Sequence, residues 1–284
     1  MYVVMAVSRG KPLLADSWRT PMQLLGKTKR GDGLIFHGRA CLFWSIPFLA
    51  LNRIIRRNRV GYQPHTRLRP ILLNRLFLNT FFDKVFCLTA HNRRELDAYG
   101  VRNCIVVPNP IPVERLAGAK EGNPKKEYDV VWAGRDAPCK RLGMFISAMK
   151  ANPKIRVLIL APRLMDENRP LLSGARNITC IEGLDGKAFF HELQKGKAFA
   201  FTSDENEGFP VSILEAAYLG MPIACSDFPK YREMLGGGAS YFSDWEGLVR
   251  IIRTAAEGNG AKPPGKALIS RYMPETISKL YESW

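Results

Sequence analysis

Thr202 to Asp227 reads T-S-D-E-N-E-G-F-P-V-S-I-L-E-A-A-Y-L-G-M-P-I-A-C-S-D. The order predicts a loop, a helix, a tight stop and a buried strand. Pro210 suits a first helical turn, where its missing N–H costs nothing. Ile213, Leu214, Ala217 and Tyr218 follow at helical spacing. Gly220 suits the left-handed residue past a helix end, and Pro222 forbids continuation. Met221 to Cys225 is a short apolar run of the kind that fills a parallel sheet. Two glutamates frame the helix: Glu207 in the loop before it and Glu215 inside it. Between them, Gly208-Phe209-Pro210 leads into a helix N-terminus, whose free N–H groups and positive dipole end suit anions and hydroxyls. Spacing alone leaves two readings open. The carboxylates accept hydrogen bonds from sugar hydroxyls, or Glu207 merely complements the dipole and Glu215 is a solvated helix residue.

Working outward, strands alternate with amphipathic helices through the second half of the chain. Val130–Ala133, Ile155–Leu160, Ile178–Ile181 and Ala198–Thr202 read as strands. Lys140–Lys150 reads as a helix with Leu142, Phe145, Ile146 and Met149 on one face. A further helix carries Phe189, Phe190 and Leu193. Asp244–Glu257 and Ala267–Trp284 read as later helices. Such alternation predicts a parallel sheet with helices on both faces. In the first half, Val3–Val7, Leu34–Gly38, Asp83–Thr89 and Cys104–Val107 read as strands and Asn92–Tyr99 as a helix. Ala117–Tyr128 reads as a linker.

These motifs resemble family 4 of the retaining glycosyltransferases, the glycosyl transferases group 1. Glu207-x7-Glu215, with Gly-Phe-Pro after the first Glu and Ala-Ala-Tyr-Leu-Gly-Met-Pro-Ile after the second, resembles the family's E-x7-E element. Val131-Trp132-Ala133-Gly134-Arg135, then Lys140, resembles its strand-Gly-Arg-loop-Lys element. Val107-Pro108-Asn109-Pro110-Ile111-Pro112 resembles the stretch that ends its first domain, with Pro110 where Gly is usual. The resemblance covers roughly residues 83 to 284. It implies an α/β GT-B fold: two Rossmann-like parallel-sheet domains facing a cleft, the first one short. The expected boundaries are 1–118 for a basic acceptor-binding domain, 119–270 for a nucleotide-sugar domain, and 271–284 for a helix bracing the first domain.

The resemblance also implies roles. Arg135 and Lys140 contact the donor diphosphate, with Gly134 beside them. Glu207 lies near the transferred sugar. Backbone groups of Gly208, Phe209, Pro210 and Val211 line the sugar and phosphate, although Pro210 has no N–H to give. Pro210 also stands where the family more often has Gly. Glu215 accepts from the ribose hydroxyls, and Leu184 sits toward the base. His37, at the end of a first-domain strand, matches a histidine the family often places near the sugar; a histidine simply packed at a strand end is the other reading. No cofactor is expected; the donor substrate is a nucleotide-diphosphate sugar such as a UDP- or GDP-sugar. No Asp-x-Asp occurs in the chain, so no metal site is expected and Arg135 and Lys140 replace a metal as charge compensation.

Composition bounds the partners. The 284 residues are 46% hydrophobic, enough for one large or two small cores. Formal net charge is +16, and residues 1–118 hold 19 Lys and Arg against 6 Asp and Glu. From Gly33 to Phe82 there is no acidic residue. Eight arginines between 39 and 75 interleave with aromatics. Such a face suits an anionic membrane surface or diphosphate groups; a solvated basic face and nucleic acid are the alternatives, and no nucleic-acid motif supports the last. The six cysteines form no C-x-x-C pair and read as thiols in a reducing compartment. No apolar run approaches a membrane-spanning length. The expected protein is cytoplasmic, peripheral at the inner membrane face, and acts on a lipid-linked or cell-surface glycan. A non-catalytic or partner-dependent nucleotide-sugar subunit is the alternative, because the first domain is short.

Overall fold

A computed structural model describes residues 4–8, 11–13, 33–37, 59–63, 72–116, 124–260 and 262–282. The chain divides into two compact units, Met1–Pro108 and Asn109–Trp284.

In the first unit the strands are β1 (Val4–Ser8), β2 (Lys11–Leu13), β3 (Gly33–His37), β4 (Arg59–Gln63), β5 (Lys84–Cys87) and β6 (Cys104–Val106). Helices α1 (Leu72–Phe81) and α2 (Ala90–Ala98) flank β5 in sequence. The sheet order is β2-β1-β3-β4-β5-β6. From β3 to β6 neighbours run parallel. At the other end β1 pairs antiparallel with both β2 and β3. β2 and β4 were not evident in the sequence, since Lys11–Leu13 is only three residues long and Arg59 and Gly61 interrupt the apolar run of β4. Gly61 has a packing reason: a Cβ there would stand 2.3 Å from the Phe86 ring. Val60, Tyr62, Phe82, Val85 and Phe86 are buried together. Thr89 caps α2, its hydroxyl accepting from Asn92 N–H at 3.0 Å.

The second unit opens with a short helix, α3 (Val113–Leu116). Then follow β7 (Tyr128–Ala133), α4 (Leu142–Lys150), β8 (Val157–Ala161), β9 (Ile178–Glu182), α5 (Gly186–Leu193), β10 (Gly196–Phe201), α6 (Val211–Tyr218), β11 (Ile223–Ser226), α7 (Pro229–Leu235), β12 (Ser240–Phe242), α8 (Trp245–Ala256), α9 (Lys266–Ser270) and α10 (Pro274–Glu282). All strands are parallel, in the order β12-β11-β10-β7-β8-β9. The first strand is therefore central. The chain winds outward to β9, returns to the other side of β7 and winds outward again. Ligands of open α/β sheets bind at the carboxyl ends of the strands beside such a reversal, here β7 and β10.

The core forms as the periodicity predicts. Leu142, Phe145, Ile146 and Met149 of α4 are buried with Val130, Trp132, Leu248 and Ile252. Asp244 caps α8, accepting from Gly247 N–H at 2.6 Å. Gly220 ends α6 with φ +72°, as a left-handed stop requires.

Three details differ from expectation. Pro210 is not inside α6 but precedes it, with φ −83° and ψ 88°. The helix expected from Lys140 starts at Leu142. Residues 138–140 form a separate turn of 3-10 helix, and Arg141 takes φ +56° between the two. The final helix is two helices, because Pro274 lacks the N–H that would continue the first and instead starts the second.

Candidate active site

The loops after β7 and β10 are laced together. Thr202, the residue after β10, accepts from Trp132 Nε1–H at 3.0 Å and donates to the Lys140 carbonyl at 2.6 Å. Asp204 N–H donates to the Cys139 carbonyl at 2.8 Å. This lacing brings Lys140 Nζ to 2.9 Å from Glu207 Oε2, with both side chains largely buried. Lys140 also lies over the Phe201 ring, 5.2 Å from its centroid. The Cys139 thiol donates to the same carboxylate oxygen at 3.7 Å, and the Ser203 hydroxyl at 3.4 Å. Burial, reinforced by the Glu207 charge, pushes the Cys139 thiol up, so it stays protonated and donates. Gly134 is beside them: a Cβ there would lie 3.8 Å from Lys140 Cε.

Arg135 follows Gly134 and is exposed, with no ion-pair partner among the described residues. It lines a groove of about 480 Å³ with Asp136, Pro162, Arg163, Leu164, Met165 and Asp166. Asp136 shapes that groove by accepting from Met165 N–H at 2.8 Å and Asn168 Nδ2 at 2.9 Å. Glu182 ties the next loop in, accepting from Leu164 N–H at 2.7 Å while Arg169 forks onto it. Leu184 is half-buried two residues beyond Glu182, after a left-handed Gly183.

The loop ahead of α6 presents two open donors. Among the described residues neither Gly208 N–H nor Phe209 N–H has a hydrogen-bond partner. Val211 N–H, expected to join them, donates instead to the Phe209 carbonyl at 3.1 Å.

Glu215 is not a solvated helix residue: it is 7% exposed on α6. Arg115 of α3 reaches it, Nη1 to Oε1 3.7 Å, and lies over the Phe190 ring at 5.7 Å. Burial raises the Glu215 carboxyl above its usual range, and Arg115 opposes the rise only in part. A raised carboxyl contributes stability below its unfolded value near 4.5, and that contribution is lost as pH climbs through the raised value. Glu215→Gln should therefore melt higher than the wild-type protein at neutral pH. The gap should close as pH falls below about 4.5; melting curves of both proteins across pH check this.

The structure thus gathers Gly134, Lys140, Glu207, Gly208 and Phe209 at the β7/β10 ends, with Arg135 on the adjoining groove and Glu215 on the helix behind. His37 is the last residue of β3 in the first unit, level with Gln63 of β4. Of the basic stretch 39–75, only 59–63 and 72–75 are described, and Arg59 and Arg75 are exposed. Sequence reasoning missed Arg115, Lys230 and Tyr231. Tyr231 donates to the Asp204 carbonyl at 2.6 Å. Lys230 donates to the carbonyls of Glu205 and Glu207. No spacing rule marks a lysine on a seven-residue helix as a loop ligand; Pro229, a helix-starting residue, was the one local sign of α7.

Comparison with known proteins places this geometry in a class. Residues 114–262, just over half of the chain, match the glycosyl transferases group 1 family, and the chain belongs to that family. Its fold is GT-B. A glycosyltransferase from Rickettsia africae superposes with a TM-score of 0.72 at 12% identity, covering 95% of this chain and 83% of that one. HepE from Anabaena, in complex with UDP, gives 0.71 at 16% identity, covering 94% and 80%. A sucrose-phosphate synthase from Thermosynechococcus elongatus gives 0.66 at 16% identity, covering 88% and 73%. No curated protein sequence matches the chain.

Proposed function

We propose that this glycosyltransferase moves a sugar from a nucleoside-diphosphate sugar to a lipid-linked or cell-surface glycan acceptor, with retention of configuration and without a metal. The observation that carries the reading is the partly buried Lys140–Glu207 pair, beside two open backbone donors, at the carboxyl ends of β7 and β10. Arg135 and Lys140 take the diphosphate, where fixed cations stabilise charge as it develops. Glu207 accepts from sugar hydroxyls, Gly208 and Phe209 N–H donate to the sugar and phosphate, and Glu215 accepts from the ribose. The Pro162–Asp166 groove and Leu184 hold the base. The first domain, which carries His37, takes the acceptor.

In the reaction the bond from the anomeric carbon to the diphosphate oxygen breaks. The acceptor oxygen forms its bond on the same face, and its proton passes to the leaving diphosphate. A uridine nucleotide is the first donor to try, because HepE has been crystallised with UDP and with UDP-glucose. No described helix is long and apolar enough to cross a membrane. The Arg-rich 39–75 stretch is proposed to rest on an anionic membrane surface from the cytoplasmic side.

The test is melting temperature with UDP, GDP and UDP-glucose. A ligand at a hundred times its dissociation constant adds about 2.7 kcal/mol. The wild-type protein should shift with one base, Arg135→Ala and Glu215→Gln should shift less, and UDP-glucose should turn over. Absence of any shift, with or without a membrane extract, would overturn the reading in favour of a partner-dependent subunit.

A further inference from the structure

Lys230 is a charged side chain only 3% exposed. A buried ammonium is stable only where acceptors replace its water. Two main-chain acceptors do so here: its Nζ donates to the carbonyls of both Glu205 and Glu207, and lies 4.9 Å from the Tyr231 ring centroid. Tyr231, the next residue, holds the Asp204 carbonyl. One turn of α7 therefore grips three carbonyls of the loop that carries Glu207.

The Glu207 carbonyl has a consequence beyond anchoring. In a planar trans peptide, C=O and the following N–H point in opposite directions, and no cis peptide occurs among the described residues. Whatever holds the Glu207 carbonyl also aims the Gly208 N–H. That N–H has no partner among the described residues, and glycine at 208 imposes little resistance to the peptide turning over.

We infer that Lys230 is a positioning residue of this transferase: by holding the Glu207 carbonyl it turns Gly208 N–H outward as a preset donor to the leaving diphosphate. The inference deepens the proposed function and rests on it. An ammonium suits the task because it offers three donors on a flexible stem, so one group satisfies two carbonyls at once.

Lys230→Met keeps the length and apolar stem while removing the donors. Because the contact strengthens as charge develops, kcat for UDP-glucose should fall roughly a hundredfold while KM changes little. Lys230→Gln, with one amide donor aimed at a carbonyl, should recover part of that loss, and it serves if the methionine variant fails to fold. A simple anchor would move stability and KM together, without the kcat split. Crystal structures of the two variants read the peptide directly: a Glu207–Gly208 peptide turned over in Lys230→Met supports the inference. The same peptide orientation as in the wild-type protein overturns it, whatever donor the enzyme uses. A wild-type protein that ignores UDP-glucose would count against the donor reading alone, and the peptide orientation would still decide for or against Lys230. Equal kcat in wild type and Lys230→Met would overturn the inference with the donor reading intact.

Discussion

Lys140→Met should cut turnover of the nucleotide sugar by about a hundredfold to a thousandfold, the cost of losing one preorganised charge-stabilising group. The lysine is held from both ends. Its carbonyl is bonded by Thr202, and its ammonium sits 2.9 Å from Glu207 over the Phe201 ring. Methionine preserves the stem and its packing, so the lost group is the charge. Two effects must be separated. The diphosphate loses a cation, and Glu207 loses its ion-pair partner, keeping only the weaker Cys139 and Ser203 contacts. Removing one member of a largely buried pair is destabilising because the other is left uncompensated. Lys140→Met with Glu207→Gln should thus regain melting temperature relative to Lys140→Met alone, yet regain no turnover. Steady-state kinetics and melting curves of the two single variants and the double variant check both halves. Full activity in Lys140→Met would remove the diphosphate role from this residue.

Phe145→Ala should destabilise the second unit by about 3–5 kcal/mol, the usual cost of emptying an aromatic site in a tight core. Phe145 is 0% exposed and is buried in one cluster with Trp132, Ile146, Met149 and Leu248. Met144, its neighbour on α4, is 49% exposed, so Met144→Ala should lie within about 0.5 kcal/mol of the wild-type protein. Denaturant titration of both variants checks the contrast. The comparison belongs to the transition that reports the second unit. A small effect at Phe145 would mean that α4 is not packed as described.

The second unit was legible because its signals are local and mutually consistent. β7 and β10 are apolar runs, the buried face of α4 repeats at helical spacing, and Gly220 and Pro222 punctuate the end of α6. The boundaries that failed did so for backbone reasons. Arg141 adopts a left-handed conformation that few non-glycine residues announce, and Pro274 divides what hydrophobic spacing alone would join. In the first unit β2 and β4 escaped because three residues, or an alternation broken by Arg59 and Gly61, carry too little pattern.

Candidate residues could be named one by one from the sequence, but not their partners. Lys140 and Glu207 are 67 residues apart in sequence, and nothing local says that they pair. Spacing left Glu215 open between a ligand and a solvated residue because it does not say which face of α6 turns inward; the structure buries it. Arg115 and Lys230 could not be found at all: each acts through a tertiary contact, and each sits in an otherwise ordinary charged segment.

Ile111 N–H donates to the Tyr272 carbonyl at 2.8 Å, and Tyr272, itself buried, donates its hydroxyl to the Met234 carbonyl at 3.2 Å. The lead-in to the second unit is thus fastened by a residue made long after it. On the ribosome, the strands of the first unit are all available by Val106. The stretch around Ile111 must wait for Tyr272 to leave the exit tunnel. Vectorial synthesis therefore favours a folding order in which the basic unit closes first and the unit carrying Lys140 and Glu207 is sealed last.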